Sequence, residues 1–306
     1  ERRMIARILY ATDFSAASLA AWPCATELAR VCRAELVILH VVPPLTAPPE
    51  GFFSADVFTR YWEGARDAAE AEISKLVAQA ELETLKARSR VDKGRAAEQI
   101  LLAAAEEQAG LIVVGTVGRT GFKQMFLGSV ADAVVRLAPC PVVTVGPAWA
   151  RPARLGPLIY PTDFSPTAQE AWPVAEELAI AGGAQLILLH VMPEVPEDPR
   201  VSPSERAKLE AGYRRRAEQS VEDLLARSRI PRPQVQTALA HGVAEEQIIN
   251  QAVASGAGLI VMGTHGWSGL IRWTLGSIAH RVIRTAPCPV LTVGPQGHRE
   301  EARRVS

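Results

Sequence analysis

The residues of this sequence that could do chemistry include glycines that recur in a fixed series in each half of the chain. The two series consist of Gly115, Gly118 and Gly128, and of Gly263, Gly266 and Gly276. Phosphate oxygens approach a backbone closely only where no Cβ intrudes. Each series also ends directly before a predicted helix, and the free N–H groups of a helix N-terminus favour an anion. The glycines therefore predict a phosphate-binding loop in each half.

Oxygen-bearing side chains accompany both series. Ser129 and Ser277 follow the last glycine, where a serine can cap the helix or donate its hydroxyl to a phosphate. Asp13 and Asp163 follow an earlier apolar run, where a carboxylate can accept hydrogen bonds from a ribose. A purely structural interpretation is also open, in which the glycines only form a tight turn and the Asp-Phe-Ser segments only cap a helix.

Several other kinds of site are missing from the sequence. It contains no G-x-x-x-x-G-K-[ST] loop, and no G-x-G-x-x-G follows the first predicted strand, which argues against the two commoner nucleotide folds. His, Cys and carboxylate residues form no cluster with metal-ligand spacing, and no nucleophile has a recognisable base beside it. The sequence thus predicts no catalytic residues and no metal site made by the protein.

The whole chain is a duplication. Three segments of the first half recur in the second: 8–15 as 158–165, 111–116 as 259–264, and 138–145 as 286–293. The offset is 150 residues early in the repeat and 148 later, so the repeating unit is an entire domain. A proline-containing, non-periodic segment at 146–155 separates the copies. We therefore predict two domains, at 1–147 and 155–296.

Short apolar runs that no charge interrupts indicate buried strands. In the first half these runs are 8–11, 36–42, 111–115 and 142–145. Their β-branched composition is typical of parallel strands buried on both faces. A weaker strand is expected near 89–91, and its counterpart near 235–238. With helices between the strands, each half is predicted to be a five-stranded parallel α/β sheet with helices on both faces.

Two helices of the first half have a recognisable apolar face. The helical spacing places one set of side chains together at Ile73, Leu76, Val77 and Ala80, and another at Val130, Val134 and Leu137. In an open α/β sheet, ligands bind beyond the carboxyl ends of the strands, where the strand order reverses. The residues that follow the first, second and fourth strands are therefore the expected site.

Composition limits the partners and the compartment. Lys and Arg total 33, as do Asp and Glu, so the balanced charge gives no reason to expect a nucleic-acid partner. No run of about 18 apolar residues is present, so no membrane span is expected. The N-terminus lacks the apolar core of a signal peptide, and the four cysteines, with no C-x-x-C pair, suit a reducing compartment. We expect a cytoplasmic protein.

These motifs resemble the universal stress protein family over nearly the whole chain, twice. The family's ATP-binding members carry G-x2-G-x9-G-[ST] after the fourth strand, and both glycine series with their serines match it. Thr-Asp-Phe-Ser at the first strand and Ala-Pro-Cys-Pro-Val before the last are similar as well. The resemblance implies an adenine nucleotide alpha hydrolase-like fold that binds ATP with Mg²⁺.

The resemblance also implies a role for each part of the site. Asp13 and Asp163 would hold the ribose, the backbone at Val41 and Val191 would meet adenine, and the glycines and serines would hold the triphosphate. The full set of expected binding residues is Thr12, Asp13, Val41, Gly115, Gly118, Arg119, Gly128, Ser129 and Val130 in the first half, and Thr162, Asp163, Val191, Gly263, Gly266, Gly276, Ser277 and Ile278 in the second.

The two loops depart from the family pattern in different ways. Family members often have His and then Gly-Arg in this loop. The first half has Val117 but keeps Arg119, whereas the second has His265 but carries Trp267 in place of the arginine. Because an arginine can reach a phosphate and a tryptophan cannot donate in that way, we expect the two sites to differ in affinity.

The leading functional hypothesis is an ATP-binding, stress-response regulatory protein with one pocket per domain. The alternatives are a slow ATP hydrolase, a regulator that binds AMP or cyclic AMP, and a scaffold with empty pockets. The phosphate loop alone does not count phosphates. Since no general base is recognisable in the sequence, any turnover is expected to be slow.

The last strand of each half suggests how the molecule assembles. Segments 142–145 and 290–293 are short, apolar and β-branched, and each follows a Pro-Cys-Pro turn. A strand at a sheet edge leaves backbone groups that proteins usually cover. Single-domain relatives commonly dimerise through this strand, so the resemblance implies that the two halves pair through it. A homodimer of two-domain chains is a further expectation.

Overall fold

The computed structural model describes residues 4–44, 55–82, 84–116, 127–147, 149, 155–195, 200–266 and 275–294. The described residues up to 149 belong to one compact unit, and those from 155 onwards belong to a second.

The strands of the first unit form a parallel sheet. They are β1 (Arg7–Ala11), β2 (Glu35–Val42), β3 (Ala87–Lys93), β4 (Leu111–Gly115) and β5 (Val142–Val145). Their order within the unit is β3-β2-β1-β4-β5, and each neighbouring pair is parallel. The five strands predicted for this half are therefore confirmed.

Burial explains why four of these strands have a strong sequence signal and one has a weak signal. β4 and β5 are buried along almost their whole length, and β1 is exposed only in part at Arg7. β3 has no fully buried residue and carries Arg88, Arg90 and Asp92. A strand covered on both faces needs apolar residues throughout, whereas a half-exposed one does not.

Helices cover both faces of this sheet. The described helices are α1 (Ala16–Leu19), α2 (Trp22–Cys32), α3 (Ala55–Leu82), α4 (Ala96–Glu106) and α5 (Ser129–Leu137). The chain steps from β1 outward to β3, then returns to β4 and β5. Since parallel crossovers are right-handed, this reversal puts α2 and α3 on one face and α4 and α5 on the other. The order reverses between β1 and β4, so their carboxyl ends flank the expected ligand crevice.

The second unit repeats this arrangement. Its strands are β6 (Leu158–Pro161), β7 (Leu186–Met192), β8 (Val235–His241), β9 (Leu259–Gly263) and β10 (Val290–Val293). Its helices are α6 (Pro166–Gly182), α7 (Pro203–Leu225), α8 (Ala244–Ser255) and α9 (Ser277–Thr285). The strand order within the unit is β8-β7-β6-β9-β10, again with parallel neighbours. The two tandem α/β domains that the sequence predicts are thus present.

The first connection differs between the units. In the first unit a break at Ala20 and Ala21 separates α1 from α2, and Pro23 lies in the first turn of α2. In the second unit the matching segment is one continuous helix, α6, with Pro173 in its interior. The shared Ala-Trp-Pro motif therefore does not determine where this helix begins.

Candidate functional site

A tight turn after β1 presents the first expected site residues. Asp13 accepts a hydrogen bond from the backbone N–H of Ser15 (Oδ1–N, 3.0 Å), and Thr12 Oγ1 accepts one from the N–H of Phe14 (3.0 Å). Ser15 is the N-cap of α1 and accepts from the N–H of Ser18. Ser15 of the Asp-Phe-Ser segment thus caps this helix, as the sequence allowed. The same turn holds the Asp13 carboxylate at the carboxyl end of β1.

A histidine from the next strand supports this turn. Phe14 has a positive φ of 60°. This conformation costs a bulky residue free energy, so it persists only where the surrounding structure holds the residue in place. The ring of His40 stacks on it with centroids 4.5 Å apart, and His40 Nδ1 lies 2.8 Å from the carbonyl oxygen of Thr12. His40 is therefore a structural residue that locks the turn.

The second unit builds the same turn from Thr162, Asp163, Phe164 and Ser165. Asp163 Oδ1 accepts from the N–H of Ser165 at 2.9 Å, and Phe164 has a φ of 58°. His190 packs on Phe164 with centroids 4.8 Å apart, and its Nδ1 lies 2.8 Å from the carbonyl oxygen of Thr162. In both halves, therefore, the turn that positions the aspartate contains a strained phenylalanine.

Two buried tyrosines support the turns from the core. The hydroxyl of Tyr10 donates to the carbonyl of Ser18 at 2.9 Å, and that of Tyr160 donates to the carbonyl of Ala168 at 2.8 Å. Burial raises the pKa of both phenols, that of Tyr10 to about 12. Both tyrosines therefore remain neutral hydrogen-bond donors at neutral pH.

Each unit has a cavity at the carboxyl ends of its strands, beside this turn. The first has a volume of about 180 Å³ and brings together seven of the nine expected residues of its half: Thr12, Asp13, Val41, Gly115, Gly128, Ser129 and Val130. The second has a volume of about 340 Å³ and brings together all eight of its half: Thr162, Asp163, Val191, Gly263, Gly266, Gly276, Ser277 and Ile278. Gly118 and Arg119 lie outside the described residues.

The helix N-termini in these cavities have no side-chain cap. Gly128 is the N-cap of α5 and Gly276 is the N-cap of α9. Ser129 and Ser277 are therefore the first helical residues, and the expectation that they cap these helices is wrong. A helix start without a side-chain cap leaves backbone N–H groups available to an anion. Val130 is 37% exposed and Ile278 is 40% exposed, because both line the cavity. The expectation that Val130 belongs to the buried face of its helix is wrong.

Two kinds of close approach explain the described glycines. A Cβ on Gly115 would lie 2.9 Å from the carbonyl oxygen of Ala17, and one on Gly263 would lie 2.8 Å from that of Thr167. These two glycines therefore let a helix pack on the strand end, whatever else they do.

Two glycines of the second series, Gly266 and Gly276, shape the cavity of the second unit. A Cβ on Gly276 would lie 2.7 Å from the carbonyl oxygen of Thr264, and one on Gly266 would lie 2.5 Å from Oδ2 of Asp163. Gly266 thus brings the loop backbone against the carboxylate of the turn, and the cavity holds both groups close together.

The second unit anchors its loop with side chains that the first unit lacks. Thr167 donates its hydroxyl to the carbonyl of His265 at 2.9 Å, and the residue matching Thr167 in the first half is Ala17. The Nδ1 of His265 lies 2.9 Å from Oγ1 of Thr264. The Nε2 atom of His265 is buried and has no hydrogen-bond partner among the described residues. Sequence reasoning had noted His265 but had missed Thr167.

One wall of each cavity was not predicted. Ala96 and Ile100 of α4 line the first cavity, and Ala244 and Ile248 of α8 line the second. The signal was in the repeat, since Glu-Gln-Ile at 98–100 recurs at 246–248. The small alanine and the larger isoleucine form an apolar surface across from the aspartate.

The described residues give no sign of a metal centre or a membrane span. No group of three or more His, Cys, Asp or Glu side chains among them could hold a metal ion. None of the helices in the described ranges is long and apolar enough to cross a bilayer.

Comparison with known proteins agrees with this architecture. The universal stress protein family model matches residues 4–146 and 156–294. A universal stress protein of Mycolicibacterium smegmatis is 31% identical over 300 residues, which cover 94% of this chain and 97% of the relative. One from Mycobacterium tuberculosis is 30% identical over 310 residues, 93% of each chain.

A solved structure has the same fold over the whole chain. The universal stress protein of Archaeoglobus fulgidus aligns with a TM-score of 0.70, at 21% identity, over 96% of this chain and 99% of its own. The family model and the full-length relatives together decide the classification. The chain belongs to the universal stress protein family and carries the family's domain twice.

Proposed function

We propose that each unit binds one adenine nucleotide, ATP, in the cavity at the carboxyl ends of its strands, and that the protein acts as a nucleotide-dependent regulator. One observation carries the proposal. In both units a carboxylate held by a strained turn and a glycine-initiated helix without a side-chain cap face the same cavity. This arrangement suits a ligand with hydroxyl groups and phosphates.

The parts of the nucleotide find matching chemistry in the cavity. Val191 and Ile248 offer an apolar surface to adenine, as Val41 and Ile100 do in the first unit. Asp163 would accept hydrogen bonds from the ribose hydroxyls, because its Oδ1 is held by Ser165 at a fixed position. The N-termini of α5 and α9 would bind phosphate oxygens. Mg²⁺ would arrive with the triphosphate, since the described residues contain no metal cluster of their own.

Calorimetric titration with ATP, AMP and cyclic AMP tests the assignment. We expect ATP to bind most tightly, because each phosphate adds contacts to the N-terminus of α5 or α9. Asp163→Asn keeps the turn but removes the ribose acceptor's charge, and should weaken binding in the second unit about tenfold. The matched control is Asp223→Asn, on a carboxylate outside this cavity. Tighter binding of AMP or cyclic AMP would make that nucleotide the ligand in place of ATP. If none of the three binds, the protein is a scaffold with empty cavities.

Slow hydrolysis in the second unit is a second candidate. His265 lines that cavity with a buried Nε2 that has no partner among the described residues, and an imidazole nitrogen can accept a proton from water. Phosphate release under single-turnover conditions would detect the activity. His265→Val, the residue type of the first half, should abolish that release while ATP remains bound. Unchanged release in this variant would exclude His265 as the base.

A further inference from the structure

The second unit contains another cavity, of about 490 Å³, on the other side of the Asp163–Phe164 turn. It lies between the end of β7 and one face of α7, and we call it the α7 cavity. Its walls include Phe164, His190 and Met192 on one side and Arg216, Leu224 and Arg227 on the other. Of the residues that line the two cavities of this unit, Asp163 alone lines both.

The α7 cavity has an apolar floor. Met192 is 1% exposed and Leu224 is 7% exposed, and Ala217 of the same helix is buried beside them. The rings of Phe164 and His190 pack against each other and both line the cavity. Apolar and aromatic side chains around a few polar groups are typical of small-molecule sites.

The polar groups of the α7 cavity favour an anion. Arg216 has no hydrogen-bond or ion-pair partner among the residues that the structure describes. The guanidinium of Arg227 donates its Nε to the carbonyl of Asp223 at 3.0 Å, and its two terminal nitrogens have no partner among the described residues. Guanidinium groups bind carboxylates and phosphates with two parallel hydrogen bonds.

Two carboxylates, Asp163 and Asp223, also line the cavity. Asp223 Oδ1 accepts from Nε2 of Gln219 at 2.8 Å, and Asp163 Oδ1 accepts from the N–H of Ser165 at 2.9 Å. His190 uses Nδ1 towards the carbonyl of Thr162, so its Nε2 remains for the cavity. Both carboxylates keep their charge, so an anion would lie on the arginine side of the cavity, where the two head groups are the donors.

The first unit does not carry this set of residues. The buried Ala69 and Ile73 of α3 match the buried Ala217 and Val221 of α7 at the 148-residue offset of the later repeat. At the same offset, Tyr213 and Arg216 correspond to Ala65 and Ala68, and Arg227 corresponds to Gln79. The two arginines thus have no counterpart at the matching positions of the first half, where a lysine, Lys75, stands instead at the position of Asp223.

We propose that the α7 cavity is a binding site for a small amphipathic organic anion, separate from the nucleotide cavity. The acidic group would pair with Arg216 and Arg227, and the apolar body would lie on Phe164, Met192 and Leu224. Arg216 lies within α7 and Arg227 lies two residues beyond its last residue, Leu225, and both line the cavity.

Anilinonaphthalene sulfonate is a suitable probe, because it is an aromatic anion whose fluorescence rises in apolar surroundings. We expect the full-length protein to bind it with saturation. Arg216→Ala and Arg227→Ala should each raise its dissociation constant about tenfold, the loss of one charge-assisted hydrogen bond. Arg214→Ala and Arg215→Ala remove equally exposed charges of the same helix that do not line the cavity, and should change it less than about twofold.

The proposal would be overturned by the absence of a saturable fluorescence rise, by equal loss in all four arginine variants, or by unchanged affinity in Arg216→Ala and Arg227→Ala. Gly276→Val, which obstructs the nucleotide cavity, should leave probe binding intact. If Gly276→Val abolishes it instead, the probe occupies the nucleotide cavity and the α7 site is rejected. ATP binding is measured separately in the wild type and in the arginine variants. If ATP does not bind to any of them, only the proposed function fails, because the α7 site does not depend on it.

Discussion

The two halves present the same turn and the same kind of cavity, but they stabilise the surrounding sheet with different chemistry. At the amino ends of its strands, the first unit has an ion network in which Glu35 and Glu107 pair with Arg7, Arg88 and Arg90. In the second half, the matching positions of Glu35, Arg88 and Glu107 are Gln185, Gln236 and Ser255, which carry no charge.

The second unit instead has a buried carboxylate at a position where the first unit has an uncharged residue. Glu176 of α6 is 4% exposed and accepts hydrogen bonds from the hydroxyl of Ser228, from Arg229 and from the N–H of Ile230. The matching residue in the first unit is Thr26, whose hydroxyl donates to the carbonyl of Pro23. The two units therefore share the turn and the cavity lining but differ in the residues that support the sheet.

The largest expected effect comes from closing one of the two candidate nucleotide cavities. In Gly276→Val, the new side chain meets the carbonyl of Thr264 and displaces the start of α9. We expect affinity in the second unit to fall about a hundredfold or more, with the first unit unaffected, as measured by calorimetry. Gly212→Val is the control, because a Cβ there has nothing within 4 Å. Equal ATP binding by both variants would show that the glycine at the helix start is not needed.

The next effect concerns the frame of the second unit. Glu176→Thr introduces the residue of the first half and removes the carboxylate that accepts hydrogen bonds from Ser228, Arg229 and Ile230. We expect the second unit to lose about 3 kcal/mol of unfolding free energy, measured by native-state hydrogen exchange. Glu177→Thr, on the adjacent and more exposed carboxylate, should cost less than about 0.5 kcal/mol. Similar losses in the two variants would show that the hydrogen bonds of Glu176 do not stabilise the second unit.

Acid should reveal the same carboxylate. Burial opposes its ionisation, but the hydrogen bonds from Ser228 and Arg229 prevail and lower the pKa of Glu176 below its ordinary value of 4.5. A lowered folded-state pKa gives stability that is present above pH 4.5 and is lost as the pH falls through the folded value. The stability difference between wild type and Glu176→Gln should therefore shrink below pH 4.5. A difference that stays constant on acidification would contradict this assignment.

The smallest effect is expected in the ion network of the first unit. The Glu107 side chain is 12% exposed and contacts three arginines, so Glu107→Gln should cost about 1.5 kcal/mol in the first unit. Added salt should reduce that cost, because the arginines are partly exposed. Glu106→Gln, on a 58% exposed carboxylate that pairs with Arg90, is the control. A salt-independent cost, or none, would mean that the network does not stabilise the sheet.

The sequence predicts most of the fold because strands buried on both faces leave continuous apolar runs. The bounds of β4 and β5 follow directly from such runs. The helix break between α1 and α2 could not be predicted, since the same Ala-Trp-Pro motif lies within one helix in the second unit. It depends on local packing that the motif does not encode.

The sequence predicts the position of the candidate site better than it predicts the contacts that build it. The glycine spacing located both cavities, but close helix packing at Gly115 and Gly263 is a tertiary contact with no sequence signature. Thr167 was missed for a related reason, since its contact with His265 joins residues far apart in the chain. Ile100 and Ile248 were missed because a cavity wall and a core residue have the same apolar pattern.

The stoichiometry of ATP binding tests the central claim most directly, because the account places one complete site in each unit. Calorimetric titration of the full chain with ATP and Mg²⁺ should give two nucleotides per chain, and Gly276→Val should reduce this to one. A stoichiometry of one in the wild type, or of two in the Gly276→Val variant, would contradict the claim that each unit has its own nucleotide site.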